Sequence, residues 1–299
     1  INRFFLELML TAIFDLDGTL VDTAVDLMIA GNHTFEELGW KVRLKPDFSD
    51  GIAIGGGRAM IRHGFSSEGI AFTETDVARV YPILLKHYDK TIDKNSFLYD
   101  GILSVLQRLK YDGWALGVCT NKPEFQANLL LNILGIRSYF DSFIGADTIG
   151  VAKPSPKPLF AAISRAGGEN SLSVLIGDTK TDCDTAKAAD VKSLLVNYGH
   201  GALTQDLRHL NPDAIVDLVL YSPYAPWDNS PVRKPGAGML QIGRQLLSGL
   251  SLDVAHNTAD TQHQFNEGRS LMAGDRNADM GAAYNHGVRG FRVDPEMGL

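Results

Sequence analysis

The chain has 299 residues, of which 44% are hydrophobic and 21% are charged, a composition that disfavours extensive disorder and leaves room for two domains. Its formal net charge is -7, and no basic run of the kind that binds nucleic acid or an anionic membrane surface is present. No stretch is long and apolar enough to span a membrane, and the two cysteines show neither a disulfide nor a zinc-binding pattern. We therefore expect a cytoplasmic protein that has neither nucleic acid nor a membrane among its partners.

The first predicted element is a buried strand over residues 11–15, a short apolar run that suits a parallel sheet. Between residues 22 and 97 the pattern changes, because apolar residues recur at helical spacing and strand-like runs are scarce. The sequence therefore predicts a helical insertion of domain size directly after the first strand. Residues 1–21 and 98–220, on either side of the insertion, are predicted to form the core domain.

Strands and helices alternate after the insertion. Strands are predicted over residues 115–120, 142–145, 173–177 and 193–196, and helices over residues 102–109, from near residue 123, 159–165 and 182–189. This alternation predicts an α/β fold in which helices cover both faces of a parallel sheet. Right-handed crossovers place the carboxyl ends of the strands at one edge, where sheets of this kind bind their ligands.

Four polar segments lie at or after the ends of these strands. They span residues 15–20, 120–121, 153–158 and 177–182. Asp15 and Asp17 start near each other because alternate residues of an extended chain face the same way, and Gly18 lets the chain turn sharply after them. We therefore expect the four segments to converge on one site.

The side chains of these segments suit the transfer of a phosphoryl group, which needs a nucleophile, an acid for the leaving oxygen and fixed positive charge. Asp15 can act as the nucleophile through an aspartyl-phosphate, which leaves Asp17 to protonate the leaving group and then to activate water. A carboxylate repels a phosphate unless a divalent cation bridges them, and Mg²⁺ bound by Asp15 and Asp178 would do so. Lys153 can neutralise the phosphate, and Thr120 can donate a hydrogen bond to it.

The order of these motifs resembles that of the haloacid dehalogenase-like hydrolases. Residues 14–22 resemble the first motif of that superfamily, and the segments that start at Thr120, Lys153 and Gly177 are similar to its second, third and fourth motifs. Within the superfamily the chain is most similar to phosphoglycolate phosphatases over roughly residues 10–220. The segments that support this narrower resemblance are residues 98–101, 119–123, 197–201 and 212–215. The resemblance implies a Rossmann-like core, a helical cap formed by the insertion, and bound Mg²⁺.

The resemblance also implies a role for each motif residue. The implied roles are nucleophile for Asp15, acid and base for Asp17, phosphate binding for Thr120, Asn121 and Lys153, and metal binding for Asp15, Asp178, the main-chain carbonyl of Asp17 and, as an assisting group, Asp182. The implied activity is the hydrolysis of a small phosphorylated metabolite, with 2-phosphoglycolate as the best single substrate.

Several alternatives stay open at this point. The site could serve a sugar-phosphate or nucleotide phosphatase, a phosphomutase of the same superfamily, or a non-catalytic protein that binds phosphorylated metabolites. Arg58 follows a glycine cluster at residues 55–57, which is either a flexible turn or a loop that brings the guanidinium to a substrate carboxylate. The oligomeric state is also open, with a homodimer as one alternative.

Residues 221–299 contain a second, partial motif pattern. A segment rich in proline, serine and tyrosine at residues 221–231 predicts a linker, and residues 233–240 and 271–279 resemble a third and a fourth motif. Residues 287–293 predict a final strand. This half-domain resembles the C-terminal half of histidinol-phosphate or heptose-bisphosphate phosphatases, but it lacks a nucleophile motif. It is therefore a regulatory or dimerising module, a degenerate remnant packed on the first domain, or a competitor for the sheet position of residues 150–200.

Overall fold

The computed structural model describes residues 9–45, 52, 55–199, 201 and 206–216, together with the backbone of two strands at residues 271–274 and 289–292. The predicted linker and the third-motif resemblance at residues 233–240 lie outside the described residues. None of the helices that the structure describes is both long enough and apolar enough to cross a membrane.

A six-stranded parallel sheet forms the centre of the molecule, with the strand order β5-β4-β1-β6-β7-β8. Its strands are β1 (Thr11–Phe14), β4 (Ala115–Cys119), β5 (Ser142–Ile144), β6 (Ser173–Gly177), β7 (Lys192–Val196) and β8 (Ala214–Val216). The predicted parallel α/β fold is therefore confirmed. The sequence pattern predicts no strand between residues 197 and 220, so β8, an edge strand of three residues that pairs with β7, extends the predicted sheet.

Helices cover both faces of this sheet. They are α4 (Ile102–Tyr111), α5 (Glu124–Ile133), α6 (Pro156–Arg165) and α7 (Lys180–Ala189). Along β1 the side chains alternate, so that Ala12 and Phe14 join the apolar cluster with α4 and α5, while Ile13 joins the opposite cluster with α6 and α7. The sheet is thus buried on both sides, and its carboxyl edge is the part that remains available for a site.

In the described part of the predicted insertion there are three helices, which lie between the short strands β2 (Val21–Asp22) and β3 (Phe97–Leu98). The helices are α1 (Ala24–Glu37), α2 (Gly56–Ser67) and α3 (Glu74–Thr91). They share an apolar cluster of their own, and α3 begins with a capping box between Thr73 and Asp76. The antiparallel pairing of β2 with β3 joins the two chain crossings between the insertion and the sheet.

Two further strands are described in the C-terminal part of the chain. They are β9 (Leu271–Gly274) and β10 (Arg289–Arg292), which pair in parallel. The first lies in the segment that resembles a fourth motif, and the second lies within residues 287–293, where the sequence predicts a strand. The assignment of residues 221–299 to a half-domain stays a prediction.

Candidate active site

The ends of three neighbouring strands bring the predicted site residues together. Phe14 at the end of β1 pairs with Val118 on β4 on one side and with Ile176 on β6 on the other. Asp15 directly follows β1, and its backbone N–H donates to the carbonyl oxygen of Ile176 at 2.8 Å. Thr120 follows β4 and Asp178 follows β6. The strand order therefore fixes these polar residues at one edge of the sheet, as the sequence predicts.

An acidic cluster lies at this edge. Asp15, Asp178 and Asp182 each offer a carboxylate oxygen, and these atoms lie within 4.8 Å of one another. The three residues are 9%, 2% and 1% exposed, so the cluster is almost completely removed from bulk water. Asp178 accepts hydrogen bonds from Thr19 Oγ1 at 3.3 Å and from the backbone N–H of Gly201 at 3.0 Å. These donors hold its carboxylate toward the other two aspartates.

Lys153 supplies positive charge to the acidic cluster. Its Nζ lies 2.6 Å from Asp182 Oδ1 and 3.0 Å from Asp15 Oδ1. Asp182 also occupies the N3 position of α7, where its carboxylate accepts from the backbone N–H and the hydroxyl of Thr179 in a capping box. The contacts with Lys153 and with Thr179 thus both fix the orientation of the Asp182 side chain within the cluster.

The side chain of Asn121 has a role that the sequence does not reveal. Its Oδ1 accepts from the backbone N–H of Lys153 at 2.9 Å, and its Nδ2 donates to the carbonyl oxygen of the same residue at 3.0 Å. These two hydrogen bonds position the loop that carries the lysine. The assignment of Asn121 to phosphate binding stays a prediction, because its Nδ2 has a second hydrogen that can still donate to a phosphate.

The electrostatics of the cluster follow from its burial. Burial raises the pKa of Asp15 to about 6 from its ordinary value of 3.8, although the ammonium group of Lys153 acts in the opposite direction. Burial also raises the pKa of Asp178 well above its ordinary range, and the charges of Asp182 and Asp15 raise it further. Burial alone would lower the pKa of Lys153, but the two neighbouring carboxylates outweigh this effect and hold it above the usual range. The cluster therefore has more negative charge than one lysine offsets.

The donor set fits a hard divalent cation, which prefers oxygen ligands. Oδ1 of Asp15 is buried, and within the described residues it accepts no hydrogen bond. Its polar contact there is the ion pair with Lys153 Nζ at 3.0 Å. Gly18 keeps the space beside Asp178 open, because a Cβ at this position would lie 2.2 Å from Asp178 Oδ2. The φ of +80° at Gly18 also favours glycine. An ordinary side chain at residue 18 would thus occupy the room that a cation and its ligands need.

Asp17 lies in different surroundings, although only one residue separates it from Asp15. Its Oδ1 accepts from Thr23 Oγ1 at 2.6 Å and from Lys122 Nζ at 2.8 Å. Its side chain remains 36% exposed. The two carboxylates are therefore divided, with Asp15 facing Lys153 and the acidic cluster and Asp17 facing a second lysine. Such a division allows two neighbouring carboxyl groups to take different chemical roles.

Lys122 is the main functional candidate that the sequence does not single out, although it stands directly after Thr120 and Asn121. It is 7% exposed, and its Nζ lies 4.5 Å from the centre of the Tyr88 ring on α3. Burial alone would lower its pKa, but the carboxylate of Asp17 and the Tyr88 side chain outweigh burial and keep the pKa above the usual range. The signal that could have identified it is its spacing of two residues from Thr120.

A cavity of about 950 Å³ opens from the acidic cluster toward the insertion helices. Its wall includes Asp15, Asp17, Thr120, Lys122, Lys153 and Asp178 from the sheet edge, and Gly55, Gly56, Gly57, Arg58, Arg62 and Tyr81 from the insertion. The guanidinium carbon of Arg58 lies 4.3 Å from the centre of the Tyr81 ring. Arg62, which the sequence does not single out, forms an ion pair with Glu74 at 2.8 Å. The insertion therefore contributes two arginines to the wall of a cavity that Asp15, Asp17 and Asp178 also line.

Comparisons with known proteins point to one family. The family model described as haloacid dehalogenase-like hydrolase matches residues 12–196. A phosphoglycolate phosphatase of Agrobacterium fabrum is 36% identical over 206 residues, which are 69% of this chain and 87% of that protein. A phosphoglycolate phosphatase of Mesorhizobium japonicum is 32% identical over 204 residues, 68% of this chain and 88% of that protein.

A solved structure, that of a predicted phosphoglycolate phosphatase from Haemophilus somnus, is similar to this chain with a TM-score of 0.64. It covers 78% of this chain and 97% of its own chain at 21% sequence identity. At that identity the similarity shows the fold alone. The assignment of the family therefore rests on the two sequence relatives and on the family model.

Proposed function

We propose that this chain, which belongs to the haloacid dehalogenase-like hydrolase family, is a phosphatase of small phosphate monoesters. The observation that carries the proposal is the division of two neighbouring carboxylates. Asp15 lies 3.0 Å from Lys153 Nζ and beside two further aspartates, whereas Asp17 lies next to it in the same cavity with separate partners. A nucleophile and a proton donor need this kind of separation.

The first step of the proposed reaction transfers the phosphoryl group to the protein. A carboxylate oxygen of Asp15 attacks the phosphorus atom, and the bond between phosphorus and the leaving oxygen breaks. The leaving oxygen takes the proton of the Asp17 carboxyl group, so that a neutral alcohol departs. Thr120 donates a hydrogen bond to the phosphoryl oxygens and Lys153 offsets their charge. Asn121 offers a further donor, either the second hydrogen of its Nδ2 or its main-chain N–H, because the main-chain N–H of Lys122 already donates to Thr120 Oγ1 at 3.1 Å.

The second step returns the protein to its starting state. A water molecule attacks the phosphorus atom and gives a proton to the carboxylate of Asp17, and the bond between phosphorus and Asp15 breaks to release inorganic phosphate. Mg²⁺ held by Asp15, Asp178, Asp182 and the main-chain carbonyl of Asp17 would supply the positive charge that lets a carboxylate meet a phosphate.

We propose 2-phosphoglycolate as the substrate. The names of the relatives support this choice, since the two relatives described above are named phosphoglycolate phosphatases. The cavity supports it as well, because Arg58 lies in its wall together with Asp15 and Asp17, and a guanidinium binds a carboxylate with two parallel hydrogen bonds. The glycines at residues 55–57 line the same part of the cavity and let a small anion approach the backbone.

The experiment that tests the function is a panel of phosphorylated metabolites assayed with Mg²⁺ and with a chelator. We expect the highest kcat/KM for 2-phosphoglycolate, lower values for sugar phosphates and nucleotides, and no turnover without the metal. Arg58→Met should raise KM for 2-phosphoglycolate at least about tenfold and change KM for an uncharged alkyl phosphate little. Asp15→Asn should abolish turnover of every substrate. Binding of these metabolites without release of phosphate would show a binding protein instead of an enzyme.

The proposal extends to organisation and location. Residues 22–97 act as a cap over the core formed by residues 1–21 and 98–220, and this is supported by the separate apolar cluster of α1, α2 and α3. A reducing compartment such as the cytoplasm is supported by Cys119 and Cys183, which are both free and buried. Burial raises the pKa of Cys119 to about 12, so that its thiol is unreactive. A homodimer stays a prediction, which light scattering on the purified protein can check.

A further inference from the structure

Lys122 is buried between the proposed acid and a helix of the insertion. Its Nζ donates to Asp17 Oδ1 at 2.8 Å, and the same ammonium group lies 4.5 Å from the centre of the Tyr88 ring. Tyr88 is on α3 and is 1% exposed. Lys122 therefore joins a residue of the sheet edge to a residue of the insertion.

Both donors to Asp17 use the same oxygen. Thr23 Oγ1 reaches Oδ1 at 2.6 Å and Lys122 Nζ reaches Oδ1 at 2.8 Å, while within the described part of the chain no hydrogen bond reaches Oδ2. A carboxyl group whose one oxygen accepts two hydrogen bonds keeps its proton on the other oxygen. Asp17 lines the cavity and its side chain is 36% exposed, so Oδ2 is the oxygen that can hand a proton to a bound leaving group.

The burial of Lys122 is hard to explain by stability alone. Removing an ammonium group from water is costly, and a buried ion pair is often no more stable than apolar residues of the same volume. A leucine or methionine could pack against Tyr88 without that cost. The charge of Lys122 is thus best explained by what it does to Asp17.

The contact with Tyr88 does not stand alone. One residue further along α3, Asp89 Oδ1 accepts a hydrogen bond from Gln126 Nε2 at 2.9 Å, and Gln126 is on α5. Two adjacent residues of α3 therefore contact the segment that begins with Lys122. The position of α3 and the position of the Lys122 ammonium group are linked through these contacts.

We propose that Lys122 is a positioning residue that aims the proton of Asp17 at the leaving group, and that Tyr88 of α3 holds Lys122 in place. The proposal rests on the phosphatase function and deepens it, since it assigns the orientation of the proton donor to a residue outside the predicted site. Lys122 is not placed as a phosphate ligand here, because its ammonium group is engaged by Asp17 and Tyr88 while Lys153 faces the nucleophile.

The test compares two phosphate monoesters that differ in their need for an acid. The leaving group of 2-phosphoglycolate is a strongly basic alkoxide, which must be protonated as it departs. The leaving group of 4-nitrophenyl phosphate is a weakly basic phenolate, which needs no proton. Single-turnover reactions with the protein in excess time only the release of the leaving group. Lys122→Met removes the ammonium group and keeps the length and apolar body of the side chain.

We expect Lys122→Met to slow the release of glycolate roughly 10²-fold and the release of 4-nitrophenolate less than about threefold. Lys122→Arg should recover much of the lost rate with 2-phosphoglycolate. In an Asp17→Asn background the additional change Lys122→Met should have no further effect, because the two residues act as one unit. Lys90→Met, which alters an exposed lysine on α3, is the matched control and should leave both rates unchanged.

Tyr88 provides a second route to the same answer if Lys122→Met fails to fold. Tyr88→Leu removes the ring and should slow glycolate release severalfold with little change for 4-nitrophenolate, whereas Tyr88→Phe keeps the ring and should behave like the unchanged protein. Thermal unfolding of each variant shows whether the fold is intact.

Three results would overturn the inference. The first is an equal loss with both substrates in Lys122→Met and Tyr88→Leu, which would indicate a role in phosphate binding or in the fold. The second is no loss with either substrate, and the third is a further loss when Lys122→Met is added to Asp17→Asn. If the unchanged protein released neither leaving group, the phosphatase function itself would be refuted. If the unchanged protein is active and Lys122→Met and Tyr88→Leu release both leaving groups at its rates, only the role of Lys122 is refuted.

Discussion

Asp15→Asn should remove activity and at the same time stabilise the metal-free protein. The reason is the burial of Asp15, which raises its pKa to about 6 from an ordinary value of 3.8. Because the pKa in the folded protein is the higher one, the folded protein keeps a proton that the unfolded chain has lost in the window from pH 3.8 to about 6. The stability of the fold therefore decreases as the pH rises through this window, and the loss persists above it.

The size of the effect follows from the same values. The difference between 3.8 and about 6, at about 1.4 kcal/mol for each pH unit, amounts to about 3 kcal/mol. Asparagine has nearly the same shape and cannot ionise, so the variant should gain up to about 3 kcal/mol of unfolding free energy at pH 8. Lys153 would not be left without a partner, because its Nζ stays 2.6 Å from Asp182.

Urea unfolding of the unchanged protein and of Asp15→Asn, with a chelator present, measures this gain at pH 5 and at pH 8. The difference between the two proteins should grow from pH 5 to pH 8. Mg²⁺ at about 100 times its Kd should then stabilise the unchanged protein by about 2.7 kcal/mol and the variant by much less. The reasoning would be refuted if Asp15→Asn were less stable than the unchanged protein at pH 8, or if their difference did not depend on pH.

Three further outcomes are expected. Asn121→Ala should lower kcat/KM about tenfold and leave the Mg²⁺ affinity unchanged, because it frees the main chain of Lys153 without touching the aspartates. An unchanged kcat/KM in steady-state assays would contradict this role. Mg²⁺ affinity should fall as the pH is lowered through about 6, since burial holds a proton on Asp15 that the cation must displace. Calorimetry in buffers of different ionisation enthalpy would detect the released proton, and a constant affinity between pH 5 and 8 would contradict the expectation. Removal of residues 221–299 should leave kcat/KM unchanged, because every described residue of the cavity lies at or before Gly201. A loss of activity with intact folding would favour the regulatory or dimerising alternative.

The strand-end residues could be predicted because their position depends on chain order and on the direction of the strands. Asp15, Thr120 and Asp178 each follow an apolar run, and a parallel sheet brings the ends of such runs to one edge whatever the details of packing. Asp15 and Asp17 were recognisable for a further reason, since their separation by one residue places both at the turn that Gly18 allows.

The roles of Asn121 and Lys122 could not be read in this way. Whether a polar side chain near a site meets the ligand or a neighbouring residue depends on side-chain directions, which the sequence pattern does not contain. Asn121 is next to Thr120 and yet binds the main chain of Lys153, which is 32 residues away. Lys122 looks like a lysine that would follow a strand into solvent, but Tyr88 and Asp17, brought from distant parts of the chain, bury it.

The two lysines explain how one short motif can hold a nucleophile and an acid. Asp15 and Asp17 leave the end of β1 on either side of a single leucine, and without further charges each would repel the other. Lys153 comes from the loop after β5 and faces Asp15, while Lys122 comes from the loop after β4 and faces Asp17. Each carboxylate thus faces a lysine, but Lys153 is shared with Asp182, and within the described residues only Asp15 of the two also lies in the aspartate cluster. The excess negative charge is therefore concentrated on the nucleophile side, where a divalent cation would bind, and Asp17 lines the cavity outside this cluster.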